Sequence, residues 1–201
     1  MNQETQIHIQ HLKDLPPQLV EDFCSSLDSL AIPYELNEKE LTPYAAIEDY
    51  ITAAIAIYLA KPFIESFLKE AGKDSYSLFK SSISKLIKRA SEIKIGVLVA
   101  GAKKIDYTNP NSTAISIHAE AFDESRVKFL IPKDLSESES EDVVNQALTI
   151  LNDHVNKKEG DILITGPRFP DGKYTTLLEY DRNKKEFVMK IPDHLEKMTN
   201  G

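Results

Sequence analysis

ISIHAEAFDESRVKFLIP, residues 115–132, decides the fold class. Ile115, Ile117 and Ala119 alternate with polar residues, and Val127, Phe129 and Ile131 repeat the pattern. A period of two marks half-buried strands, because successive side chains point to opposite faces. Asp123, Glu124 and Ser125 lie between the two runs and supply a tight turn. Immediately downstream, DLSESESEDVVNQALTILNDHV (residues 134–155) changes period: Val143, Val144, Ala147, Leu148, Leu151 and Val155 share one helical face. Ser136 with Glu139, and Ser138 with Glu141, each fit a capping box, so the acidic run reads as a helix entry rather than an interaction tail.

Further toward the C-terminus, residues 162–164 read as a short strand, and GPRFPDG (166–172) as a loop. A hairpin follows, residues 174–180 and 187–191 flanking the turn from Asp181 to Lys185. Upstream of residue 115, Ile93, Ile95, Val97 and Val99 predict one more strand, and GAKKIDYTNPNS (101–112) a polar, turn-rich seam.

The middle of the chain reads as helical. Thr42-Pro43 is a start signal, Thr as cap and Pro at the first position, for a helix running to about Ala60. Its apolar stretch ITAAIAIYL (51–59) is followed by Lys61 and Pro62, too soon for the roughly 20 apolar residues of a membrane span. It is expected to be a buried core helix. A shorter helix through Phe63, Phe67 and Leu68 stops at Gly72, and Asp74 caps a third, with Tyr76, Phe79, Ile83, Leu86, Ile87 and Ala90 on one stripe. The N-terminus predicts a βαβ unit: a strand over 6–10, a helix opened by Pro16-Pro17 with Leu19, Val20, Phe23, Leu27 and Leu30 inward, and a strand over 32–36. The expected fold is therefore α+β, helices packed on one face of a mainly antiparallel sheet, with a central helical hairpin or bundle. The seam divides the chain into segments 1–104 and 105–201, unless the whole is one domain.

Composition narrows function mostly by exclusion. The apolar fraction of 41% and charged fraction of 28% suit a globular core, and the net charge of −8 disfavours nucleic acid binding by the whole surface. The single cysteine, Cys24, permits no intramolecular disulfide, and MNQETQIHIQ carries neither a basic nor an apolar leader segment, so a reducing cytosol is expected. VLVAGAKK (97–104) has one glycine where phosphate loops need several. His8, His11, His118, His154 and His194 show no metal-ligand spacing, and no G-x-S-x-G surrounds a serine. Cys24 belongs to an amphipathic helix, as a small buried thiol does. No catalytic residue, metal or cofactor is expected. For an enzyme assembled from dispersed residues, the nominees are His118 and Glu120, two apart on one strand face, with Arg168 from the proline-flanked loop.

Charge is uneven. Residues 61–104 hold ten basic and four acidic residues, a net +6, which leaves −14 for the remainder. The bland reading is a solvated helix face balanced by the protein's own acids. The functional one is an electrostatic docking face with Lys80, Lys85, Lys88 and Arg89, and Arg168 from the loop, as binding residues. Basic residues interleaved with exposed aromatics, as base stacking needs, are not evident.

The segments AKPFIESFLKEAGKDSYSLFK (60–80) and VKFLIPKDLSESESEDVVNQAL (127–148) together resemble a loose set of uncharacterised bacterial cytosolic α+β proteins. Matching positions are apolar residues and caps, so the resemblance implies an order of elements and a bacterial cytosol, with no activity to transfer. The expected function is that of a non-enzymatic interaction or regulatory protein, binding an acidic protein partner through the basic helical face. The alternatives are an enzyme, or a protein docked at an anionic membrane surface through residues 43–68 and the basic segment.

Overall fold

The computed structural model describes residues 6–40, 53–70, 72–93, 110–120, 126–165 and 175–190. Chain order is β1 (Ile7–Leu12), α1 (Pro17–Ser29), β2 (Tyr34–Lys39), β3 (Ile55–Leu59), α2 (Lys61–Glu70), α3 (Lys73–Ser91), β4 (Asn111–Glu120), β5 (Arg126–Pro132), α4 (Glu137–Val155), α5 (Ile162–Thr165), β6 (Thr175–Asp181) and β7 (Glu186–Lys190). The strands form one seven-stranded sheet in the order β2-β1-β3-β4-β5-β6-β7, drawing on both sides of the seam.

The sheet is mixed, which corrects the expectation of a mainly antiparallel one. β1–β2, β3–β4 and β5–β6 are parallel, while β1–β3, β4–β5 and β6–β7 are antiparallel. Each parallel pair is joined by a connection containing α1, α2 with α3, or α4, and a parallel pair needs such a crossover.

Ile55–Leu59 is a central strand, not the end of a helix. Ile57 lies between Ile9 of β1 and Ile117 of β4 and is fully buried. Both faces of β3 are largely covered, so its sequence shows a continuous apolar run with no period to distinguish strand from helix. Its β-branched Ile55 and Ile57 suit the pleated sheet. Residues 42–52 of the expected 42–60 helix lie outside the described residues, as do Ile95, Val97 and Val99, the turn at 123–125 and the loop at 166–172, while residues 53, 54 and 60, beside β3, are not helical.

Other boundaries also moved. Gly72 occupies the N-cap position of α3 with no side-chain cap, and Asp74 sits in the first turn, favourable to the helix dipole but not the cap. Residues 162–164 belong to the helical turn α5, because Asp161 Oδ1 accepts the Leu163 N–H at 2.9 Å and turns the chain. At α4 the structure selects Ser136 of the two capping boxes: its Oγ accepts the Glu139 N–H at 3.2 Å, and Glu139 Oε2 accepts the Ser136 N–H at 2.8 Å.

Residues of both layers share one apolar core. From the sheet come Ile7, Ile9, Ile57, Ile117, Phe129 and Leu178; from the helices, Phe23, Phe63, Phe79, Ile87, Val144 and Leu148. Phe79 meets Phe63 at 5.0 Å and Phe67 at 5.3 Å between ring centroids, and Phe23 at 6.5 Å, tying α1, α2 and α3 together. Helix α3 packs beside both α1 and α4. That placement sets the candidate site.

Candidate functional site

Two arrangements of polar side chains deserve chemical weighing. The first is a row on the sheet face that does not carry Ile9, Ile57 and Ile117. By register it runs Glu35, His8, Tyr58, His118, Lys128, Leu177, one residue from each of six strands. The His118 ring stacks on Tyr58 with centroids 4.5 Å apart and planes inclined 24°. Its Nε2 lies 2.9 Å from the hydroxyl of Ser116, which is buried. His8 Nδ1 reaches Glu35 Oε2 across the β1–β2 ladder at 2.9 Å.

A Ser–His contact invites a nucleophile-and-base reading, but the electrostatics oppose it. Burial pushes the His118 pKa down to about 3, and the charges of Lys128 and Arg126 push the same way. A general base works best with a pKa near 7. Four units below that optimum is about 5 kcal/mol of lost proton affinity. At neutral pH the ring is an uncharged stacking and hydrogen-bonding group. Glu120 is exposed on the last residue of β4, opposite Arg126 in the register, and Arg168 lies outside the described residues.

His154 has a buried carboxylate partner. His154 Nδ1 is 2.6 Å from Asp161 Oδ2, and both residues are buried. Since Asp161 also caps α5, the pair fastens the end of α4 to the following turn. Cys24 is buried as expected, and burial raises its thiol pKa, which leaves it protonated and inert.

The second arrangement is a groove of about 470 Å³ flanking α3, with α1 on one side and the start of α4 on the other. Helix geometry sorts its lining. Leu78, Ser82, Lys85 and Arg89, spaced four, three and four apart, form the stripe toward α1, where Leu19, Asp22, Phe23 and Ser26 complete the wall. Ser81, Ser84 and Lys88 form a second stripe toward Glu137, Ser140 and Glu141 of α4.

On the α1 side the groove has an apolar floor and a charged rim. Phe23 and Leu86 are buried, whereas Leu78 is 47% exposed, one of two large apolar side chains so exposed among the described residues. Arg89 Nη1 donates to Asp22 Oδ2 at 2.5 Å, and Gln18 Nε2 donates to Asp22 Oδ1 at 2.9 Å. Those two hydrogen bonds, Gln18's first, hold the Asp22 carboxyl below the usual carboxylate range. Lys88 is paired with Glu92 one turn on.

Of the four cations nominated from α3, Lys85, Lys88 and Arg89 line this groove. Lys85 and Arg89 stand on the α1 stripe, Lys88 on the rim toward α4, and Lys80 is outside the groove lining. Sequence reading missed Leu78, Asp22, Tyr58, Ser116 and Asp161. The 78–82–85–89 spacing was visible, but the identity of the opposing helix was not.

Among the described residues, no three His, Cys, Asp or Glu side chains converge as metal ligands, and no helix is long and apolar enough to cross a membrane. The chain matches no family model, no curated protein and no solved structure.

Proposed function

We propose that the protein is a non-enzymatic interaction module whose α1–α3 groove receives an acidic amphipathic segment of a partner protein. Apolar side chains of that segment rest on Leu19, Phe23, Leu78 and Leu86, and its carboxylates meet Lys85 and Arg89. The observation that carries the reading is the exposed Leu78 on the same stripe as two cations, over a groove with an apolar floor. An apolar centre with a charged rim is the usual anatomy of a protein-binding surface. The resemblance of residues 60–80 and 127–148 to bacterial cytosolic proteins is the ground for proposing a bacterial cytosol as the setting.

The test is a salt-graded pull-down from native lysate with three variants beside the unaltered chain. Leu78→Asp and the double change Lys85→Glu, Arg89→Glu are expected to abolish capture of a stoichiometric partner, while Lys80→Glu retains it. Equal capture by all chains overturns the groove. Binding to anionic vesicles that depends on the same residues, with no protein captured, replaces the partner by a membrane surface.

A further inference from the structure

We infer that Asp22 is a built-in competitor at the groove, occupying Arg89 until an incoming carboxylate displaces it; this rests on the groove reading above. Asp22 comes from α1 and Arg89 from α3, so their ion pair bridges the two walls at the rim. Both partners are about half exposed, at 53% and 44% of side-chain surface, so the pair is weak and screened by water. One carboxylate oxygen is held by Gln18 and the other by Nη1 of Arg89. Asp22 is thus anchored on its own helix whether or not Arg89 stays with it.

Exchange is inexpensive for this geometry. An arginine has five N–H donors, and among the described residues the contact to Asp22 is the one made by the Arg89 guanidinium. An incoming carboxylate can approach its remaining edge, form a bidentate pair and leave Asp22 bonded to Gln18. Lys85, one turn earlier on the stripe, makes no ion pair within the described residues and adds to the attraction. The built-in acid raises the threshold for binding: carboxylates without an apolar anchor compete poorly, and ligands with an apolar anchor as well as an acid succeed. Asp22 thereby trims the affinity that the cations supply.

Octanoate is a small probe with the required chemistry, an apolar tail and one carboxylate. Backbone and Arg89 side-chain nitrogen–proton resonances are followed while octanoate is titrated into the full chain and into Asp22→Asn, which keeps an oxygen for Gln18 but loses the charge. The expected result is saturable shifts at Leu78, Lys85 and Arg89, with binding about two- to fivefold tighter in Asp22→Asn. Arg89→Gln serves as the second variant and is expected to weaken binding in both backgrounds. Shifts that depend on Arg89, with equal or weaker binding in Asp22→Asn, overturn the competitor role and leave the groove intact. Absence of groove shifts in every chain overturns both.

Discussion

His118 and Tyr58, from neighbouring parallel strands, stack at 4.5 Å on the sheet face opposite Ile57 and Ile117. The ring is neutral in the folded protein down to about pH 3, while in the unfolded chain it takes a proton near its ordinary pKa of 6.5. Between those values the unfolded state binds more protons, so stability falls as pH falls, at up to about 1.4 kcal/mol per pH unit. Urea unfolding at several pH values measures the slope. His118→Gln removes this contribution, and ring carbon-proton shifts that titrate near pH 6.5 in the folded protein contradict the burial.

Ile57 tests the central strand. Fully buried between Ile9 and Ile117, it leaves a cavity on substitution by Ala, at a cost of about 2–5 kcal/mol. Ile57→Val keeps the branched shape and costs about 0.5–1.5 kcal/mol. Chemical denaturation of both variants checks the ratio.

Leu78 and Phe79 are adjacent in sequence and opposite in role. Phe79 is fully buried among Phe23, Phe63 and Phe67, so Phe79→Ala is expected to cost about 3–5 kcal/mol. Leu78→Ser changes an exposed position and stays within about 0.5 kcal/mol of the unaltered protein. A thermal melt of the pair separates a surface kept for binding from one kept for folding: a large loss from Leu78→Ser assigns that side chain to the core.

Asp161 supports two things at once. Asp161→Ala removes the carboxylate bonded to a buried imidazole and the cap of α5, and is expected to cost about 2–4 kcal/mol. Asp161→Asn retains an oxygen for the Leu163 N–H and loses less. Hydrogen exchange of the 155–165 amides shows where the loss falls, with α1 protected equally in both variants.

What could be read from sequence follows from how each strand is covered. β1, β4 and β5 announced themselves because polar residues such as His8, Gln10, Ser116 and His118 alternate with apolar ones. β3 has Ala56 where those strands have polar groups, so its period vanished into an apolar run. The helices between strands are legible in their periodicity, but the parallel pairing that such crossovers bring is not written in any one strand. Alternation reports which face a side chain takes and is silent on strand direction. At the groove, charge and spacing on α3 were legible, but Asp22 is 67 residues away from Arg89 and nothing local announces their meeting.

The outermost described strands, β2 and β7, close the sheet differently. β2 holds Glu35, Glu38 and Lys39 among six residues, and its one exposed large apolar side chain, Leu36, is flanked by Glu35 and Asn37. Charges along a rim penalise the docking of a foreign strand, because stacking like copies would desolvate them without compensation. β7 carries Phe187, Val188 and Met189 in a row, with charges only at its two ends. Among the described residues, β7 lacks the mid-strand charges that guard β2.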